Sequence, residues 1–525
     1  MQYIYSIIKA DYLQRTRSYA FLITLAVTFY AAYSFVPPPT ASYTTLNVVG
    51  YKGVYNSAWV GYVSGMMTAI MLSLYGFFLV NGGIKKDIDT EVGLIIATTP
   101  ITNFGYLLSK MLSNFMVLLT IAGCTFIVSI IMFFVRTTGY PFLIGNFIIP
   151  YLTFALPALF SVSALAVVAE VFLGRKSILQ YIVFFFFFGI MMANVENQKN
   201  DAVATFIDMF GVHSLTGSIK SQVNSQFHEH ITGVNLGFTF NRKQAFKTFE
   251  WNGITITGIF LVSRLVWLVL ALGIVYFSSF FFHRFDFKQS ARKTKKAVAD
   301  IQPNRHTVLP SNGISMQLLP RLVTNYGIIP FIKTELLLLI RKGNKWFWLV
   351  NGGAWISMFL VPINVAHLYL LPVLWFLQVT RWSDLATKEE ANRLHYFTYA
   401  AYKPLQRMLL AQIIAGMILA LLLALPLVVR YAIALDYYAV FNIVNGAIFV
   451  VMLAVCLGIV SRGKKLFEIL FFLLTYIITQ KVTFVDYLGA VSHDNHIVYI
   501  VILLSVNVIL MLAGFGVRRC QLRHV

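Results

Sequence analysis

The chain is poor in charge. Of its 525 residues only 12% are Asp, Glu, Lys or Arg, whereas a soluble globular domain carries about 25%. That shortage excludes a soluble enzyme and a disordered tail, both of which need a hydrated surface. Cysteine is scarcer still: Cys124 and Cys456 lie in apolar runs and Cys520 in a basic tail. No C-x-x-C pattern exists, so neither a disulfide framework nor a cysteine metal site is readable. No G-x-x-x-x-G-K-[ST] phosphate loop occurs either; Gly174-Arg175-Lys176-Ser177 matches only its tail. The chain is therefore not itself an ATPase of that type. Negative charge is the rarer sign, 20 acidic residues against 41 Lys plus Arg, a formal +21.

What the chain has in abundance is apolar length. Hydrophobic residues make up 58% and the mean hydropathy is +0.74. A helix needs roughly 20 apolar residues to cross the hydrocarbon. Twelve segments qualify as candidates. Six lie near 19–36, 58–81, 106–135, 147–172, 178–193 and 254–282. Six more lie near 346–361, 365–380, 405–429, 439–460, 466–480 and 497–515. The pair within 346–380 is split only by Pro362-Ile363-Asn364 and reads as a tight hairpin. The N-terminus, with Lys9, Asp11, Arg15 and Arg17, leads into an apolar run with no small-residue cleavage site, so that run is the first span.

Twelve crossings place both termini on one side. With the N-terminus inside, 31 cations and 12 acids fall in cytosolic segments, against 10 and 8 outside. This is the positive-inside pattern, so the surplus reports orientation rather than nucleic acid. The expected fold is an all-α polytopic membrane protein. Residues 1–282 form a first six-helix half with an external loop at 194–253. Residues 283–330 form a basic cytosolic linker, and residues 331–525 a second half.

The halves echo each other. Ile8-Lys9-Ala10-Asp11 and Ile332-Lys333-Thr334-Glu335 precede the first and seventh spans at an offset of 324, which also pairs Arg17 with Arg341. Each stretch reads as an interfacial amphipathic helix. After the second span of each half comes a segment running from acidic residues to a proline. The first holds Asp87, Asp89 and Glu91 and ends Thr98-Thr99-Pro100; the second holds Asp384, Glu389 and Glu390 and ends at Pro404. Proline is favourable at a helix start, where its missing N–H costs nothing. A third echo precedes the last span of each half: Asp208-Met209-Phe210-Gly211 and Asp486-Tyr487-Leu488-Gly489.

This arrangement resembles the membrane subunit of type-2 ABC exporters, with two six-helix, pseudo-symmetric units fused. Arg264-Leu265-Val266-Trp267 and the apolar helix ending His283-Arg284-Phe285 also look like the sixth helix of those permeases. The resemblance implies an ATP-driven permease of the bacterial inner membrane, moving a hydrophobic or amphipathic substrate. It implies a cytosolic ABC ATPase dimer as partner, carrying the ATP and Mg, with no cofactor in this chain. Asp89, Glu91, Thr98, Thr99, Pro100, Glu389, Glu390 and Pro404 would be ATPase-coupling residues. Lys9, Asp11, Arg17, Lys333, Glu335 and Arg341 would lie on connector helices, and Asp208, Gly211, Asp486 and Gly489 at an outer gate. The second half differs in its shorter outer loop and in lacking the Thr-Thr-Pro form.

Other chemistry reads as absent. His228-Glu229-His230 is not H-E-x-x-H, and His493-Asp494-Asn495-His496 is a polar outer turn, so no metal is expected. Glu170 is expected to pair toward Arg175-Lys176, Arg264 to anchor at the interface, and Glu468 to sit on a helix dipole. The near lack of buried ionisable pairs disfavours the alternative, an ion-gradient-driven secondary transporter. The 15% aromatic content reads as lipid contact and interfacial belts.

Overall fold

The structure is a computed structural model that describes residues 2–38, 41, 43–48, 51–174, 177–197, 201–228, 234–240, 247–282, 327–342, 345–479, 486–491 and 496–523. Arg175-Lys176, Glu229-His230, His283-Arg284-Phe285, most of the 283–330 linker and His493-Asp494-Asn495 lie outside these residues.

The chain is a helical, polytopic membrane protein. Among the described residues all twelve apolar segments are helical, and seven form helices long and apolar enough to cross a bilayer unaided. These are α3 (Ser57–Val80), α6 (Asn103–Arg136), α7 (Gly145–Leu173), α11 (Gly258–Phe281), α18 (Leu405–Ile433), α19 (Tyr437–Ser461) and α21 (His496–Arg523). The other five are shorter: α2 (Tyr19–Phe35), α8 (Ser177–Asn197, apolar to Met192), α13 (Lys345–Leu360), α14 (Ile363–Phe376) and α20 (Lys465–Thr479). At 1.5 Å per residue, α13 and α20 fall short of a hydrocarbon core about 30 Å thick. Only Val361 and Pro362 join α13 to α14, and the two helices pack together as a tight hairpin.

Helix α1 (Gln2–Thr16) precedes α2 and bends 71° from it. Ser18 makes the break, its hydroxyl accepting from the Phe21 amide as an N-cap. Helix α12 (Ile329–Arg341) stands before α13 in the same way. These two helices mark one end of the bundle, the connector end. Between α3 and α6 lie the short helices α4 (Gly83–Asp89) and α5 (Val92–Ala97). Between α14 and α18 lie α15 (Val379–Trp382), α16 (Lys388–Ala391) and α17 (His395–Tyr399).

The packing order recurs. α1 lies on α6 as α12 lies on α18; α6 packs on α7 as α18 on α19; α7 packs on α11 as α19 on α21. Helix α3 is the axis, with 89% of its apolar window buried against 28% for α11 and 17% for α21. Its small residues explain this. Gly61 lets the backbone of Asn146 approach directly, and Gly65 packs on Pro150. The segments meet where α3 and α8 contact α20: the Phe78 and Phe472 rings are 4.0 Å apart, and Phe185 and Phe472 are 5.5 Å apart.

The segment expected as an external loop, 194–253, is structured. It contains α9 (Asp201–Ile207), α10 (Val212–Phe227), β3 (Val234–Phe240) and β4 (Lys247–Phe249). With β1 (Tyr43–Val48) and β2 (Tyr51–Gly53) the strands form a four-stranded sheet in the order β3-β1-β2-β4. β1 pairs antiparallel with β3, Val48 opposite Val234, and β2 runs parallel to β4, Gly53 opposite Phe249. The sheet is an addition to the expected all-α architecture. It is sealed by buried Trp251, whose ring meets Trp59 at 6.3 Å and Tyr62 at 5.2 Å. Apolar helix periodicity carries no signal for strands about 190 residues apart in sequence, so this pairing is a tertiary fact.

Gly61→Ala would press a methyl into the Asn146 carbonyl. Overpacking of this kind costs about 1–3 kcal/mol; a lower melting temperature of the detergent-solubilised variant is the expected result.

Candidate functional site

At the connector end three helices converge on one ammonium. Lys110, only 2% exposed, lies 2.7 Å from Asp11 Oδ2 on α1 and 2.7 Å from Asp87 Oδ2 on α4. Tyr106 OH donates to Asp87 Oδ2 at 2.7 Å. Arg15 Nη1 donates to the Val80 carbonyl, 2.9 Å, tying α1 to the end of α3. Burial lowers the Arg15 pKa, opposed by the nearby Asp11, Glu170 and Asp87.

The carboxylate of Glu170, on α7, holds the N-terminus of α4. Its Oε1 accepts from the amides of Gly82 (2.8 Å) and Gly83 (2.9 Å), and its Oε2 from Ile84 (2.8 Å) and Lys85 (3.0 Å). These are the orphan donors of a helix start, facing the charge that the helix dipole favours. The turn exists because Gly82 adopts φ +97°. Glu170 therefore acts on α4, a role that the expectation of a pairing with Arg175-Lys176 missed.

The second segment repeats the site with altered charge. Twenty-three residues separate Asp87 from Lys110 and Glu389 from Gln412. Gln412 Nε2 donates to Glu389 Oε1 at 2.6 Å, so an amide stands where the first segment has an ammonium. Glu335 on α12, the counterpart of Asp11, pairs with Lys388 on α16. Burial pushes the Glu389 carboxyl pKa up, with Lys388, Gln412 and Arg518 only partly opposing. Where α7 carries Glu170, α19 carries Gly458, packed against Thr387.

The sequence-predicted residues divide into two groups. Asp11 and Glu335 are in the ion-paired network, while Lys9, Arg17, Lys333 and Arg341 are exposed. Asp89 and Glu91 are exposed at the α4–α5 tip, where Glu91 adopts φ +59°. Beside them Val92, Leu94 and Ile95 are also exposed. Thr98 and Thr99 donate to the carbonyls of Ile95 (2.8 Å) and Ile96 (2.6 Å), closing α5, and exposed Pro100 follows. Glu389 is 4% exposed, an interior group rather than a tip residue, and Glu390 is half-buried. Pro404 directly precedes α18. The exposed tip of the second segment is instead Leu394, Tyr396, Phe397 and Tyr402.

At the opposite end the two aspartates build the same turn. Asp208 Oδ1 accepts from the amides of Phe210 (3.1 Å) and Gly211 (2.8 Å), and its Oδ2 from His213 (2.7 Å). Asp486 Oδ1 accepts from Leu488 (3.1 Å), and its Oδ2 from Val491 (2.7 Å). Both carboxylates are 1% exposed. Gly211 (φ +91°) and Gly489 (φ +68°) occupy the left-handed position that each turn needs. The supports differ. Arg264, expected as an interfacial anchor, is 4% exposed and donates to the Met209 carbonyl at 2.9 Å and to that of Asp208. In the second segment His367 takes this place: Nε2 lies 3.1 Å from the Leu488 carbonyl and Nδ1 3.0 Å from Tyr431 OH. A carbonyl only accepts, so Nε2 carries the hydrogen and Nδ1 accepts from Tyr431.

Glu468 has the expected place in the first turn of α20. It also joins the segments, accepting from Tyr181 OH at 2.9 Å. Among the described residues no three His, Cys, Asp or Glu side chains converge as a metal site. Comparison of the chain with protein-family models, with curated proteins and with solved structures returned no match.

Glu170→Gln leaves two of the four α4 amides facing an NH2 group. Lost buried acceptors cost about 1–3 kcal/mol; amide exchange at 82–85 should quicken selectively. Glu389 titrates above its ordinary range, so its contribution to stability is present at low pH and is lost as pH rises through the folded pKa. Glu389→Gln should therefore raise the melting temperature near neutral pH, and the gain should shrink as pH falls through the folded pKa and be gone below about pH 4.3, the ordinary glutamate value. Gly211→Ala forces a side chain into a left-handed turn against the Phe154 ring. Such strain costs about 1–3 kcal/mol, read as a lower melting temperature.

Proposed function

We propose that this chain is the membrane permease of an ATP-driven exporter, two six-helix halves in one polypeptide, worked by a separate cytosolic ABC ATPase dimer. The observation that carries the reading is the mechanical link from tip to membrane. In the first half an exposed tip, α4–α5, is tied through Asp87 and Lys110 to both α1 and α6, and through Glu170 to α7. A buried pair of this kind resists separation, because either charge left alone costs about 3–5 kcal/mol. Force applied at the tip therefore moves α1, α6 and α7 together. In the second half α16 is tied to α12 through Lys388–Glu335 and to α18 through Glu389–Gln412.

On this reading the connector end faces the cytosol of a bacterium, both termini included, and the membrane is the inner one. The exposed apolar tips, Val92, Leu94 and Ile95 in one half and Tyr396 and Phe397 in the other, are the surfaces that the ATPases cover. The Asp208 and Asp486 turns form the outer gate. Hydrophobic or amphipathic cargo suits a bundle whose helices are apolar throughout.

The test is reconstitution of the chain with a cytosolic ABC ATPase that co-purifies with it. Ile95→Asp places a charge on the tip without touching the ion-paired network. It should lower permease-dependent ATP turnover about tenfold, equivalent to about 1.4 kcal/mol of coupling, while the protein still folds. Transport that follows a proton or sodium gradient and ignores ATP would instead establish a secondary transporter.

A further inference from the structure

The strongest unassigned feature is a surplus of positive charge where the two segments meet at the connector end. The ammonium groups of Lys342, at the end of α12, and Lys464, just before α20, both pair with the single carboxylate of Asp384. Lys465 donates to Tyr181 OH at 2.9 Å and lies 3.9 Å from Glu468. That carboxylate is already shared with Tyr181 OH and with Ser383 Oγ, at 3.2 Å.

Among the described residues, two further cations there have only neutral hydrogen-bond partners. Arg381 donates to the carbonyls of Leu339 (2.8 Å) and Lys342 and to Gln378 Oε1 (2.8 Å). Lys85, contributed by α4, donates to Ser177 Oγ at 3.3 Å. The seam thus gathers five cations around the Asp384 and Glu468 carboxylates, with Asp89 acting on Lys464 and Glu170 on Lys465 from farther off.

We propose that this seam binds a phosphate-bearing anion, held by Lys342 and Lys464 with Lys85 completing the cradle from the other segment. The ligand is the phosphate of an anionic phospholipid headgroup or a free phosphate. The Lys342 and Lys464 side chains are 44% and 39% exposed, so a ligand from solvent or the headgroup layer can reach them. A phosphate presents several acceptor oxygens to donors arriving from different elements, and charge-assisted bonds of this type are the strong ones. Burial and the neighbouring Lys464 bring the Lys342 pKa down to about 8, as expected of crowded cations that a bound anion would relieve. Cations at this depth lie near the headgroups, where each contributes about 1 kcal/mol of attraction to anionic lipid. A ligand held by Lys85 and Lys464 together would bridge α4 to α20, so its binding would link the segments. Binding at this seam requires neither ATP nor a partner protein.

The experiment is a melting-temperature titration of the full purified chain in neutral detergent at fixed ionic strength. Phosphatidylglycerol, phosphatidylcholine and inorganic phosphate are added separately. Phosphatidylglycerol should stabilise the protein and phosphatidylcholine should not. If inorganic phosphate stabilises as well, the site takes free phosphate; if only the lipid does, it takes the headgroup within its membrane. Lys342→Gln with Lys464→Gln should raise the half-effective concentration at least about tenfold, about 1.4 kcal/mol. Should that pair of changes impair folding, Lys85→Gln alone removes a cradle cation whose hydrogen-bond partner is a serine hydroxyl, and should weaken the response. Arg519→Gln, an exposed charge on α21, should leave it unchanged. Equal responses to both lipids with none to phosphate, or a full response in the Lys85→Gln protein, would overturn the proposal.

Discussion

The ammonium of Lys110 lies 2.7 Å from carboxylates on two different elements, and almost none of it reaches solvent. In that setting an unpaired charge is far more expensive than any surface contact. Helices α1, α4 and α6 are therefore held in one arrangement, since moving any of them alone strands a charge. Glu170 extends the constraint to α7 by satisfying four amides at the start of α4. The position of the α4–α5 tip follows from these two groups, and the surfaces it exposes follow from its position.

The second segment keeps the geometry and changes the chemistry. Gln412 stands in the place of Lys110, and Glu389 is left with an amide and a neighbouring lysine for company. Gly458 replaces the Glu170 cap with close packing, and aromatic residues replace an acidic, aliphatic tip. At the opposite end the aspartate turns share the bonds to the second and fifth residues after the aspartate, yet one is pinned by a permanent cation, Arg264, and the other by His367. The two segments share a frame and differ in what holds it.

Much of the frame was legible in the sequence. Apolar length located all twelve helical segments, because a hydrophobic run shows where it lies whatever it packs against. The aspartate turns were legible because Asp-x-x-Gly encodes its own local hydrogen bonds and its left-handed residue. Asp11 and Glu335 stood out through their shared offset. The groups that work hardest were less visible. Lys110, Glu170 and Arg264 each resemble ordinary charges near helix ends, and only burial beside a distant partner distinguishes them. Glu389 looked like a tip residue because sequence does not say which face of a four-residue helix turns inward.

The sequence by itself determined that the protein lives in a membrane and where its helices lie, and it carries short motifs that recur along the chain. Those features depend on local composition and spacing, which the chain carries wherever it folds. The tertiary structure alone decided which charges meet, that strands before α3 join strands near residue 240 in a sheet, and that cations from both segments crowd one seam. These are contacts between residues up to several hundred positions apart, and a contact at that range has no local signature to read.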